Sequence, residues 1–117
     1  MASVVALFDD LLLGSNVLGM LRAAGHEARL TGDAGAAHPD GAAVLIVDLA
    51  SAGFDGIAAV ERLRADGELG GTRTLGVYSH VDVETKRRAE AAGFDLVVPR
   101  SRMAREGAGL IEKLLET

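Results

Sequence analysis

The sequence predicts an α/β domain: a doubly wound, five-stranded parallel sheet with helices on both faces. Three observations carry that expectation. Short apolar, β-branched runs such as SVVALF and VLIVD recur along the 117 residues. Stretches with helical spacing of apolar positions separate them, so strand and helix alternate five times. Glycines close the helical patterns, with Gly25 where a helix C′ residue belongs.

The first strand spans Ser3 to Phe8 and ends at the acid pair Asp9-Asp10. Leu13, Val17, Met20, Leu21 and Ala24 then mark a helix that stops at Gly25. Glu27 to Thr31 is a short, weakly marked second strand. The connection GDAGAAHPD, Gly32 to Asp40, carries glycine and proline, which limit any helix there to about one or two turns. Ala43 to Asp48 is the third strand. Asp55-Gly56 opens a helix marked by Ile57, Val60 and Leu63, ending before Gly67 in the turn GELGG. Thr74 to Ser79 is the fourth strand, and Asp82 is an N-cap for a helix through Ala92, closed by Gly93. Leu96 to Val98 is the fifth strand. Met103, Leu110, Ile111, Leu114 and Leu115 stripe the last helix. Right-handed crossovers select a flavodoxin-like sheet of order 2-1-3-4-5 with a shortened second helix. Residues 1–117 read as one domain.

Composition narrows the function classes. Only 3% of residues are aromatic, so the core is aliphatic. The absence of cysteine excludes a disulfide framework and thiolate metal sites. A formal net charge of −5 argues against nucleic-acid and anionic-membrane partners. No apolar run approaches the roughly 20 residues that span a bilayer. No basic segment precedes the first apolar run, and a cytoplasmic protein is expected. Walker, GxGxxG and GxSxG motifs are all missing, and a binding or signalling module is expected in place of an enzyme.

The most informative stretch is VLIVDLASAGFDG, Val44 to Gly56, in which a buried strand delivers one carboxylate, Asp48, to the carboxyl edge of the sheet. Sites in open α/β sheets lie on that edge. Asp9 and Asp10 end the neighbouring strand, so the three acids are expected to form one acidic pocket, with Asp10 and Asp48 close enough to share a cation. Taken alone, Asp9-Asp10 also reads as an acid pair serving the helix N-terminus, and Ser79 as a hydroxyl capping a turn.

These residues resemble the receiver domain of two-component response regulators, over essentially the whole chain. The resemblance implies that Asp9 and Asp10, with Asp48, hold Mg²⁺. It implies that Asp48 accepts a phosphoryl group, with Gly56 at the family's offset, and that Ser79 contacts that group, Tyr78 being the competing alignment. The family lysine falls on Arg100, in Val98-Pro99-Arg100-Ser101, where proline precedes the basic residue. The family's loop proline is Ala52 here, and its aromatic switch position is Val97. The chain therefore resembles an atypical receiver.

Arg100 brings a permanent charge, but its planar fork does not substitute for a compact ammonium at a tight site. Three readings of the cluster Arg100, Ser101, Arg102 and Arg105 stay open. It is a solvated basic turn, an anion site at a helix terminus, or the source of a bidentate Arg100–carboxylate pair that neutralises Asp48 or Asp10. Lys86, Arg87 and Arg88 read as a solvated run. His26, His38 and His80 lack metal-ligand spacing.

The function expected is a stand-alone atypical receiver acting in signal transduction through protein contacts, with weak or no phosphorylation at Asp48. The alternatives are a conventional Mg²⁺-dependent phosphorylatable regulator and a small-ligand-binding flavodoxin-like domain. The resemblance implies a histidine kinase or downstream effector as partner, or a second copy of the chain. The implied face is made by the fourth helix, fifth strand and fifth helix, counting the shortened helix as second.

Overall fold

The computed structural model describes residues 2–116. Strands β1 (Ser3–Leu7), β2 (Glu27–Thr31), β3 (Val44–Asp48), β4 (Arg73–Tyr78) and β5 (Leu96–Pro99) form one sheet of order β2-β1-β3-β4-β5. All four pairings are parallel. Helices α1 (Leu11–Ala23), α2 (Gly56–Ala65), α3 (Val83–Ala91) and α4 (Arg100–Leu115) connect and flank the strands. The doubly wound flavodoxin-like fold and its strand order are as the sequence predicts.

Strand alternation sorts the core into two layers. Val4, Ala6, Val44, Ile46, Leu75, Val77 and Val98 pack with Val17 and Leu21 of α1 and with Met103 and Ile111 of α4. Val5, Leu7, Leu45, Val47 and Val97 face the other way, onto Ile57, Val60 and Leu63 of α2 and Ala89 of α3. Strand β3 is the centre of the sheet and is buried along its whole length. It therefore carries any side chain at its carboxyl end to a fixed point.

Aspartates start the first three helices. Asp10, Asp55 and Asp82 each accept a hydrogen bond from the backbone amide three residues on, at 3.0–3.1 Å, which satisfies an orphan donor of the first turn. Helix α4 differs. Its N-cap is Pro99, which offers no side-chain acceptor. The connection after β2 holds only a three-residue 3-10 turn, Ala34–Ala36, capped by Asp33 on the Gly35 amide. Arg29 pins this segment by donating to the carbonyl of His38 at 2.7 Å.

Two boundaries matter for the site. Strand β4 stops at Tyr78, so Ser79 stands just beyond it. Strand β5 extends to Pro99, opposite Tyr78. A proline is tolerated there because β5 is an edge strand and needs no further amide donor.

Candidate functional site at the carboxyl edge of the sheet

Asp48 is the last residue of β3, two positions beyond Ile46 in the alternation, and so lies on the sheet face covered by α1 and α4. Arg100 follows Val98 by the same step and opens α4. The two meet: Arg100 Nη2 donates to Asp48 Oδ2 at 3.0 Å. The Asp48 side chain is fully buried, while that of Arg100 is 36% exposed. Of the three open readings, an Arg100–carboxylate pair is the one formed, but it is monodentate. Asp48 Oδ1 is turned instead onto the Ala50 amide, at 3.0 Å, and so only one oxygen is left for the guanidinium. Arg100 Nε is consequently buried with no hydrogen-bond partner.

Burial pushes the Asp48 carboxyl above the ordinary carboxylate range. The Ala50 amide and the Arg100 guanidinium pull in the other direction, and the Asp9 charge adds to the upward push. The balance is upward: a single half-exposed guanidinium and one amide do not offset the loss of water around a buried charge.

Asp9 and Asp10 part company. Asp10 is the N-cap of α1, its Oδ1 accepting from Leu13 N at 3.1 Å. Asp9 is the member of the pair whose charge Asp48 feels, and its Oδ2 accepts from Gly53 N at 3.1 Å. Among the described residues, no group of three or more acids, histidines or cysteines is gathered to hold a metal. Mg²⁺ demands several oxygen ligands in near-octahedral geometry. As placed, Asp48 has both oxygens bonded, to Ala50 N and to Arg100, and no third ligand is gathered with it and Asp9. This donor set does not fit a divalent cation.

The two hydroxyl candidates are placed differently. Tyr78 packs in the layer made with α2 and α3, on the face opposite Asp48. Ser79 stands past the end of β4, at the same carboxyl edge as Asp48. Among the described residues its hydroxyl has no hydrogen-bond partner. Arg102 and Arg105 both reach Glu106, at 3.7 and 3.2 Å, and Arg87 pairs with Glu84 at 3.0 Å, all on exposed surface. His80 is exposed. His38 pairs with Glu68 at 2.8 Å, and His26 is buried and accepts from the Ala2 amide through Nδ1.

Gly53 is the site residue that sequence reasoning missed. Its contact with Asp9 crosses 44 positions, and no local pattern announces it.

No protein-family model matches the sequence, and no curated protein matches it. Solved structures do match in shape. The chain is 22% identical to the receiver domain of NtrX from Brucella abortus, with a TM-score of 0.85, covering 97% of this chain and 98% of that one. The receiver domain of Francisella response regulator 1452 gives 17% identity and a TM-score of 0.85, over 99% and 98% of the two chains. A longer NtrX structure from Brucella abortus, in complex with ADP, is matched at 21% identity and a TM-score of 0.86; the chain covers 27% of its length and 98% of its own. The chain thus has the fold of response-regulator receiver domains. No helix among the described residues is long and apolar enough to cross a membrane.

Proposed function

We propose that the chain is an atypical receiver module of two-component signalling, working in the cytoplasm through protein–protein contact, with little or no phosphorylation at Asp48. The observation that carries this reading is the 3.0 Å pair between Arg100 and Asp48. A phosphoryl acceptor must offer a free oxygen lone pair to the incoming phosphorus. Each Asp48 oxygen already accepts a hydrogen bond, one from Ala50 N and one from the Arg100 guanidinium, so an incoming phosphorus must approach a lone pair past a cation that stands on the carboxylate. Pro99 contributes no amide donor beside Arg100 to stabilise an equatorial oxygen. The donor set at the edge supports the same reading, because the three acids serve loop and helix amides.

The partner in this reading is a histidine kinase, a downstream effector or a second copy, bound on the face of α3, β5 and α4. A groove of about 220 Å³ between the start of β5 and α4 supports the β5–α4 part of that face: it is lined by Leu96, Leu110 and Leu114 together with Asp95, Arg102 and Lys113. One observation favours a conventional phosphorylatable receiver as the second reading. The Ser79 hydroxyl, just past β4 at the carboxyl edge that Asp48 also occupies, makes no hydrogen bond within the described residues and so is available to a phosphoryl group.

Intact mass after incubation with Mg²⁺ and a small phosphodonor tests the choice. The unmodified mass is expected for the native chain. Robust, Mg²⁺-dependent addition of one phosphoryl group, abolished by Asp48→Asn, establishes the second reading instead. Arg100→Lys, which installs a smaller and more mobile cation, is expected to gain Mg²⁺ binding.

A further inference from the structure

We propose that Asp9 is a positioning residue, a latch that holds the loop between β3 and α2 over Asp48, and that this latch and a divalent cation at Asp48 exclude one another. The inference grows from the misfit between the donor set and Mg²⁺. It deepens the reading of a closed Asp48 site and rests on that reading only for where the site lies.

Two separate features support the latch. The Gly53 amide is shared by Asp9 Oδ2, at 3.1 Å, and Ser51 Oγ, at 3.0 Å, which brings the middle of the loop onto the end of β1. The approach also depends on the residue having no side chain, since a Cβ at Gly53 would run into Asp9 Oδ2. The loop is held a second time at its start, where Ala50 N donates to Asp48 Oδ1 at 3.0 Å. It then runs into α2 through Asp55, whose carboxylate caps the helix on Ala58 N. The two acids that face one another electrostatically therefore hold the same loop, and it leads straight into a helix. A cation bridging Asp9 and Asp48 must displace Arg100 from Asp48 Oδ2, and it meets an Asp9 carboxylate whose orientation the Gly53 amide holds toward the loop.

The decisive variant is Gly53→Ala in the full chain, because it forces Asp9 off the loop without altering any carboxylate. Binding is read by titration with Mn²⁺, following paramagnetic broadening of amide resonances, and with Mg²⁺ by calorimetry. Gly53→Ala is expected to bind either cation about tenfold more tightly than the native chain, the equivalent of losing one charge-assisted hydrogen bond. Unchanged or weaker binding overturns the proposal. Amide exchange supplies an independent measurement. Asp9→Ala is expected to speed exchange at Gly53 about tenfold, with amides of the β4–α3 loop unaffected. Asp9→Asn keeps an acceptor oxygen and is expected to restore most of the protection while gaining no cation affinity. Native-like protection of Gly53 in Asp9→Ala overturns the latch. Uptake of phosphate by the native chain, with these cation and exchange responses intact, refutes the closed-site reading and leaves the latch standing. Absence of phosphate uptake, with no response to either variant, does the reverse.

Discussion

Asp48 and Asp95 stand at opposite ends of the same sheet, one closing β3 at the carboxyl edge and the other just ahead of β5 at the amino edge. Asp95 belongs to a closed set of bonds. Its Oδ2 accepts from Thr74 N at 2.8 Å and from Thr74 Oγ1 at 3.2 Å, and its own amide donates to Thr74 Oγ1 at 3.1 Å. Thr74 is fully buried, so these bonds satisfy donors that have no access to water. They staple the short edge strand β5 to β4. Asp48 is the opposite case. It is fully buried, takes one amide and one guanidinium, and has its carboxyl pushed upward by burial all the same. A carboxylate completed by its own neighbours is structural cement. One left under-compensated in a buried position weakens the fold and marks a site.

The largest effect expected from this contrast is at Asp95. Asp95→Ala leaves the buried Thr74 amide and hydroxyl short of an acceptor, and a loss of about 2 kcal/mol is expected in urea unfolding. An unchanged midpoint would erase the distinction between the two acids.

Asp48→Asn is expected to move stability the other way, raising Tm by roughly 3–5 °C at pH 7. The amide keeps an oxygen for Ala50 N and removes a poorly compensated charge. The pH dependence sharpens this. Because the folded Asp48 carboxyl titrates above its ordinary 3.8, its stabilising contribution is complete below that value and is lost as pH rises through the folded pKa. The advantage of Asp48→Asn over the native chain should therefore grow from acid to neutral pH. Thermal melts at both ends of that range check it, and an advantage that shrinks as pH rises contradicts the electrostatic account.

His38 and Glu68 give the exposed limit of the comparison and the smallest effect. The hydrogen bond to Glu68, then its charge, raises the His38 pKa from 6.5. The pair's contribution is thus complete below 6.5 and disappears as pH rises through the folded value. His38→Gln is expected to match the native chain in melts at pH 8 and to fall slightly below it at pH 5.5. A larger change than that of Asp95→Ala would show that exposure does not weaken such pairs as supposed.

Much of this molecule was legible along the chain. The helix caps at Asp10, Asp55 and Asp82 act three residues away, which is chemistry that neighbouring letters display. The poverty of helix after β2 followed from glycine and proline, whose backbone limits are intrinsic. Strand order followed from alternation plus the handedness of crossovers. Asp48 at the end of a buried strand and Arg100 near the same edge were both readable as candidates.

Tertiary structure alone decided how those candidates are used. Asp9 turned toward the β3–α2 loop and Asp48 while Asp10 capped its helix, although the two residues are adjacent and chemically identical. Tyr78 packed onto the α2–α3 layer while Ser79 fell beyond the strand, because β4 ends where its last ladder partner does. The Arg100–Asp48 pair became monodentate because an amide two residues beyond Asp48 claimed the other oxygen. The reason is common to all three. Sequence specifies which groups a segment can offer within a few residues of itself. Which oxygen meets which donor depends on close packing between segments tens of residues apart, where a displacement of one ångström exchanges one partner for another.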